Sequence, residues 1–388
     1  MPAATSSPIH PVVDHLVAAV DHFRVGAGLL TALAGVRDPR KPRGVRHQLS
    51  TILILAAGAV LAGCRSFTAI GEWAAHASTQ VRSMLGVGRD VPSESAIRRL
   101  LQRLDGDQLD IAIGAWAASG TQPAGTRRRL VAVDGKRLRG SGSATTEPRH
   151  LLGAIDHIHG VVLAQRQVDG KTNEITEFAP LLDSVELTGA VITADALHTQ
   201  RAHADYLVLE RGAHYLVTVK GNQPALHAQL KALPWKQMPV VHTSTDRAHG
   251  RVEKRTIKVV TVSAGIVFPH ARQAIQITRK TRRLDRTKWT TETAYAVTSL
   301  TAEQTTASEL ATWVRGHWCI ENRLHWVRDV TLDEDRSQIR TGNGPRIMAS
   351  LRNLAISAIR LDGATNIARA LRHHAWDPLR PVKLLLTC

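Results

Sequence analysis

The sequence predicts an α/β region preceded by an all-helical one, and three observations lead there. Up to about residue 120, apolar residues recur with a helical period. Beyond it, apolar runs of strand length alternate with helical stretches. Two of those runs, Leu130-Val-Ala-Val133 and Ala190-Val-Ile-Thr-Ala194, each deliver an aspartate, Asp134 and Asp195. Unbroken apolar runs rich in β-branched residues belong to strands buried on both faces. Each carboxylate is therefore expected at the end of its strand, where the chain leaves the core.

Composition narrows what such a chain does. Its 388 residues suffice for two or three domains, and a hydrophobic content of 43% supplies packed cores. Lys and Arg number 50 against 33 Asp and Glu, a net charge of +17. That excess calls for a polyanionic partner, and nucleic acid is the first one expected. The three cysteines, Cys64, Cys319 and Cys388, form no CxxC pair. This argues against a disulfide scaffold or zinc finger and for a reducing compartment. The N-terminus lacks the basic-then-apolar order of a signal peptide, and the longest apolar run, Ile52 to Ala62, is too short for a bilayer. A cytoplasmic protein without a membrane partner is expected.

Residues 1–120 are expected to form the helical domain. Val12 to Phe23 is amphipathic, Leu49 to Gly63 is apolar nearly all round, and Phe67 to Trp73 keeps the helical period. Between the first two, Arg37 to Arg46 is a basic, proline-broken loop that suits either phosphates or a solvated linker. Pro92-Ser93-Glu94-Ser95 opens another helix with a serine as N-cap. Arg99 and Arg103 share a face of it, which reads more readily as ordinary surface than as a DNA-reading helix. Gly120 to Gly125 marks the boundary.

Residues 126–388 then read as one α/β domain. After the Asp134 strand and a flexible Gly140 to Thr146 segment, Leu151 to Ile155 and Val161 to Ala164 pair as a hairpin through Asp156-His-Ile-His-Gly160. A helix (Glu177 to Leu187) leads to the Asp195 strand, and another (Thr199 to Arg211) to the strand His214 to Val219. Three antiparallel-type strands, then helix, strand, helix, strand, is the order of a ribonuclease-H-like, retroviral-integrase-like core. There the first and fourth strands are neighbours, so the two aspartates meet at one sheet edge. From about 233 to 291 the pattern lapses into a β-rich insertion with strands at Val259 to Val262 and Ile275 to Ile277. A basic cluster runs from Arg279 to Trp289, and the core resumes at Ala294 to Leu300.

Two strand-end acids alone are weak, since such groups often cap a helix. A third comes from Arg315-Gly-His317-Trp318-Cys-Ile-Glu321-Asn322-Arg-Leu-His325-Trp326-Val-Arg328-Asp329. At helical spacing Glu321, His325 and Arg328 share a face, with Ile320, Leu324 and Val327 on an adjacent apolar stripe. The helix can thus pack on the sheet and present Glu321 at its rim.

With that segment in place, the chain resembles bacterial insertion-sequence transposases of the DDE type, and most of all the ISAs-one group of the IS-four superfamily. The likeness covers nearly the whole chain. Leu61-Ala-Gly-Cys-Arg-Ser-Phe-Thr-Ala-Ile-Gly-Glu-Trp73 and Pro92-Ser-Glu-Ser95 resemble the group's N-terminal associated region. Val133-Asp-Gly-Lys-Arg-Leu-Arg-Gly-Ser141 resembles its first-Asp motif. Lys171-Thr-Asn-Glu-Ile175 and Thr193-Ala-Asp-Ala-Leu197 resemble its middle, and His317-Trp-Cys-Ile-Glu-Asn322 with Leu324-His-Trp-Val327 its Glu motif. The superfamily signature has Tyr and Arg ahead of the Glu and Lys after it; Val314, His317 and Arg328 stand there instead. Only Arg328 keeps the charge.

The resemblance implies a DNA transposase that cleaves insertion-sequence ends and transfers strands into target DNA. It implies Asp134, Asp195 and Glu321 as catalytic metal ligands and at least a homodimer on DNA, the protein being bacterial, cytoplasmic and nucleoid-associated. In-line attack on a phosphodiester by water or a 3′-hydroxyl needs an activated oxygen and a stabilised leaving group, which two divalent ions provide. Oxygen ligands favour Mg²⁺, with Mn²⁺ as substitute. Lys136, Lys220, Asn222, His317, Asn322, His325, Arg328 and Arg340 are candidate DNA contacts. Arg336, Arg346 and Arg352 extend that basic tail, and Trp318 or Trp326 either stacks on a base or packs in the core. Asp329, Glu334 and Asp335 are rival acids. His157, His159, His373 and His374 lack matching metal partners. A stand-alone nuclease of the same fold, and an inactive derivative that only binds or regulates DNA, remain as alternatives.

Overall fold

The computed structural model describes residues 27–387 apart from 89, 122–126, 171–172, 249 and 263–264. The expected helix at Val12 to Phe23 and part of the Gly120 to Gly125 boundary lie outside them. Nine strands form one mixed sheet: β1 Leu130–Leu138, β2 Arg149–Asp156, β3 Val162–Val168, β4 Val191–Ala194, β5 His214–Val219, β6 His242–Ala248, β7 Arg251–Thr261, β8 Gln273–Arg283 and β9 Thr290–Thr298. Their spatial order is 3-2-1-4-5-9-8-7-6. β4 lies parallel between β1 and β5, while the other pairings are antiparallel. The first and fourth strands are thus neighbours, as the element order requires. The β-rich segment is no separate body, because β9 pairs with β5 and carries β6–β8 as an extension of the same sheet.

Helices cover the first five strands. Among the described residues six α-helices precede the sheet: α1 Ala27–Ala34, α2 Leu49–Leu61, α3 Phe67–Ala75, α4 Thr79–Met84, α5 Glu94–Arg103 and α6 Gly106–Ser119. Each residue of α2 is buried, as a helix apolar all round must be. Ser93 caps α5 by accepting from Ala96 N, as expected. α6 lies against β3 so closely that a Cβ on Gly114 would overlap the Leu163 carbonyl oxygen. These helices share one continuous apolar core with the sheet and with α11, introduced below.

Within the sheet region come α7 Glu174–Leu182, α8 Arg201–Asp205 and α9 Pro224–Ala232. α7 starts three residues before the expected Glu177, because Asn173 accepts from Thr176 N and caps it there. α8 passes into a π-helical stretch at Tyr206–Glu210. After β9, α10 Ala307–Gly316 opens on a capping box between Thr306 and Glu309. It turns at residues 317–318 and resumes as helix to Thr331, widened to π geometry at Glu321–His325 and Val327–Thr331. The chain ends in α11 Gly344–Leu361, buried along Gly344 to Ile359, then α12 Ile367–Ala375 and α13 Leu379–Thr387.

Candidate active site

β1 and β4 run in parallel register up to Val133 opposite Ala194, so Asp134 and Asp195 are the next residues on adjacent strands. β4 stops there. Asp195 then caps a single turn at Ala196–His198 by accepting from Leu197 N at 2.9 Å. β1 does not stop, which corrects the expectation for Asp134. It continues to Leu138 as a hairpin with β2, and only its parallel partner is lost. Gly135 N donates to Asp134 Oδ1 at 2.9 Å, and a side chain at 135 would collide with the Glu174 carboxylate. Burial pushes the Asp134 carboxyl up; the His325 ring and the Gly135 amide pull against it, while Asp195 and Glu174 add to the rise.

Glu321 arrives from the helix packed over this edge. His325 Nδ1 lies 3.1 Å from Glu321 Oε2 and 3.7 Å from Asp134 Oδ2. One ligand atom from each of these three residues falls within 4.8 Å of the others. The hydrogen bond to His325 holds the exposed Glu321 carboxyl below the usual range. Asp195 does not join that three-residue cluster, although its charge is felt at Asp134. Crowded carboxylates, with one pushed up by its neighbours, and no thiol among the donors fit a hard or borderline divalent cation.

A buried ionic lattice fixes these two elements to each other. Lys136, two residues beyond Asp134, pairs closely with Asp329 and comes 4.0 Å from Glu334. Arg328 donates to both Glu334 oxygens, at 2.9 and 3.0 Å, and Arg352 donates to Glu334 Oε2 at 3.0 Å. Arg346 pairs with Asp110 of α6. Several expected DNA contacts are therefore corrected. Arg328 and Arg352 are 2% exposed, and Lys136, His325 and Arg346 are also buried. The reason for Arg328 is the widened helix, which turns it into the core rather than along the Glu321 face. Glu334, ranked a rival acid, is buried and already neutralised by two arginines.

Other expected contacts remain at the surface. Lys220, Asn322 and Arg340 are exposed. Asn222 is exposed too and donates to Ala196 O at 2.5 Å, tying the loop after β5 to the Asp195 turn. His317 is partly buried and its Nδ1 lies 3.2 Å from Thr193 Oγ1, whose hydroxyl also meets His157 Nε2 at 2.8 Å. Burial lowers His317 to about 4 and His157 to about 3, so both rings are neutral at pH 7. Trp318 and Trp326 are both exposed, so neither packs in the core. Arg282 of β8 stacks 5.3 Å over Trp289.

Two contributors escaped the sequence reading. Glu174 sits 2.8 Å from His150 Nε2 and 3.4 Å from His198 Nε2, contacts whose angles make no regular hydrogen bond. Burial opposes its charge, but the two histidines outweigh it and lower its carboxyl to about 2. The signal was the Asn173-Glu174 cap inside a motif already singled out. Arg323 donates to the carbonyls of His157, Ile158 and His159, clasping the β2–β3 turn, and nothing in the sequence announced it.

The family described as "Transposase DDE domain" matches residues 125–358, and the one described as "DDE_Tnp_1-associated" matches 30–117. "Putative transposase YncI" of Escherichia coli O157:H7 is 28% identical over 349 residues, covering 86% of this chain and 87% of that protein. "H repeat-associated putative transposase YhhI" of Escherichia coli K12 is 27% identical over 374 residues, covering 90% and 95%. Among solved structures, a piggyBac transposase synaptic complex with hairpin DNA aligns at a TM-score of 0.43 and 10% identity, over 97% of this chain and 78% of that one. With more than half its length matched, this chain belongs to the DDE transposase family.

Proposed function

We propose that the protein excises and inserts DNA through a metal-dependent site formed by Asp134, Asp195 and Glu321 on a ribonuclease-H-like core. The single observation that carries the reading is the register of β1 and β4, which makes Asp134 and Asp195 neighbours, with Glu321 clustered on Asp134. The strand order 3-2-1-4-5 at one end of the sheet supports the core assignment. Two divalent cations, when bound, activate the attacking oxygen and stabilise the leaving one; Mg²⁺ or Mn²⁺ suits the oxygen donors. The chain's part is to hold the three carboxylates and to bind the duplex. Exposed Lys220, Asn322 and Arg340 would meet phosphates, and Trp318 and Trp326 offer stacking faces beside Glu321.

DNA ends of the element and target DNA are the proposed substrates, with a homodimer pairing two ends. Membership of the ISAs-one group and a cytoplasmic, nucleoid-associated location belong to the same reading. Among the described residues no helix is long and apolar enough to cross a membrane. The test is to incubate the protein with a plasmid carrying the element's ends, with Mg²⁺ and with EDTA. Metal-dependent strand joining is the expected result. Cleavage without joining would identify a nuclease, and end binding without cleavage an inactive derivative.

A further inference from the structure

Resting on the metal-site reading above, we infer that His325 is a nitrogen ligand of that site, which makes one of its cations a better fit for Mn²⁺ than for Mg²⁺. The ring is 4% exposed and points one atom, Nδ1, at the space between Glu321 and Asp134. Ligands about 2.1 Å from one cation stand about 3 Å apart when mutually cis. The two edges from Nδ1, 3.1 and 3.7 Å, both lie a little above that value, so one ion can be reached by small side-chain shifts. At 4% exposure the ring is screened from solvent, which disfavours a direct phosphate contact. The π-helical turn spans Glu321–His325 alone before one ordinary residue, and such widened turns gather at functional sites.

Without a cation, Nδ1–H can donate to Glu321 Oε2. A metal bond at Nδ1 needs the lone pair there, so the ring's proton must stand on Nε2: the Nδ1 proton leaves to solvent, Nε2 takes one up, and the ring stays neutral. Mg²⁺ prefers oxygen and keeps its water, whereas Mn²⁺ takes imidazole more readily. His325 therefore belongs to the metal-binding group and not, as the sequence suggested, to the DNA contacts.

The experiment is pulsed electron paramagnetic resonance on the full-length protein loaded with Mn²⁺, unlabelled and with ¹⁵N-histidine. Directly coordinated nitrogen is expected, with the coupling changing on isotope substitution and vanishing in His325→Gln. Calorimetry should show Mn²⁺ affinity falling about tenfold or more in that variant and Mg²⁺ affinity falling much less. Mn²⁺ bound with no nitrogen coupling in the unsubstituted protein would overturn the inference and leave His325 as the hydrogen-bond partner of Glu321. Coupling that persists in His325→Gln would overturn it too. Failure to bind Mn²⁺ at all would sink the metal-site reading itself, so the two failures are distinct.

Discussion

Replacing Glu334 by Gln is expected to destabilise the protein by about 3–5 kcal/mol, the cost of breaking a buried ion pair from one side. The side chain is 2% exposed and holds Arg328 and Arg352, themselves buried to the same degree, with Lys136 at 4.0 Å. An amide of the same shape leaves two guanidinium groups in the core without a counter-charge. Burial pushes the Glu334 carboxyl up, but Arg328, Arg352 and Lys136 outweigh it and hold the group below its ordinary value. A carboxyl depressed on folding contributes stability above its unfolded pKa and loses it as pH falls through the folded one. The wild type should therefore lose this stabilisation in acid, and Glu334→Gln should show a flatter acid limb. Denaturant unfolding measures both. Arg336→Ala is the control: its exposed side chain, 3.8 Å from Asp333, should matter by no more than about 0.5 kcal/mol. A similarly small loss in Glu334→Gln would mean that water reaches the lattice.

Asp134→Asn and Glu321→Gln are expected to slow single-turnover strand cleavage by about 10³-fold or more. Each keeps the shape of the side chain and removes an anionic oxygen from the shared cluster. Losing about 4 kcal/mol of transition-state charge stabilisation corresponds to that factor. End binding should change by less than about threefold, because affinity for DNA comes from cations elsewhere on this basic chain. Asp195→Asn should behave likewise although its carboxylate stands outside the tightest cluster, since the bound substrate and cations would draw it in. Gel shift and cleavage on the same DNA separate the two quantities. A loss of binding parallel to the loss of cleavage would show that the carboxylates hold the site's shape rather than its chemistry.

Much of this was legible from patterns confined to one strand or helix. The apolar runs before Asp134 and Asp195 are buried strands, and Ser93 caps its helix, because both features depend on local chemistry alone. The β-rich segment was legible as strands, yet its fusion to β5 was not, since pairing across a long insertion leaves no periodic trace. The largest departure is Arg328. Spacing at i, i+4 and i+7 assumes an uninterrupted α-helix, and the π-helical turns from Glu321 to Thr331 change the angle at which each later side chain leaves. Glu334 and Lys136 were misjudged for a related reason: in a basic chain, an acid or a lysine reads as surface until its buried partner is known. Trp318 and Trp326 go the other way, as large aromatics that the fold leaves in solvent, so of the two readings offered the core one fails.

The central claim, that cations sit between the two strand aspartates and the helix glutamate, is tested most directly by anomalous diffraction. Crystals of the protein with end DNA, grown with Mn²⁺, would locate the ions without relying on activity. Anomalous peaks bounded by Asp134, Asp195 and Glu321, about 2.2 Å from their oxygens, are the result the account predicts. Peaks at Asp329 and Asp335 instead, with the Asp134 edge vacant while DNA is bound, would contradict it.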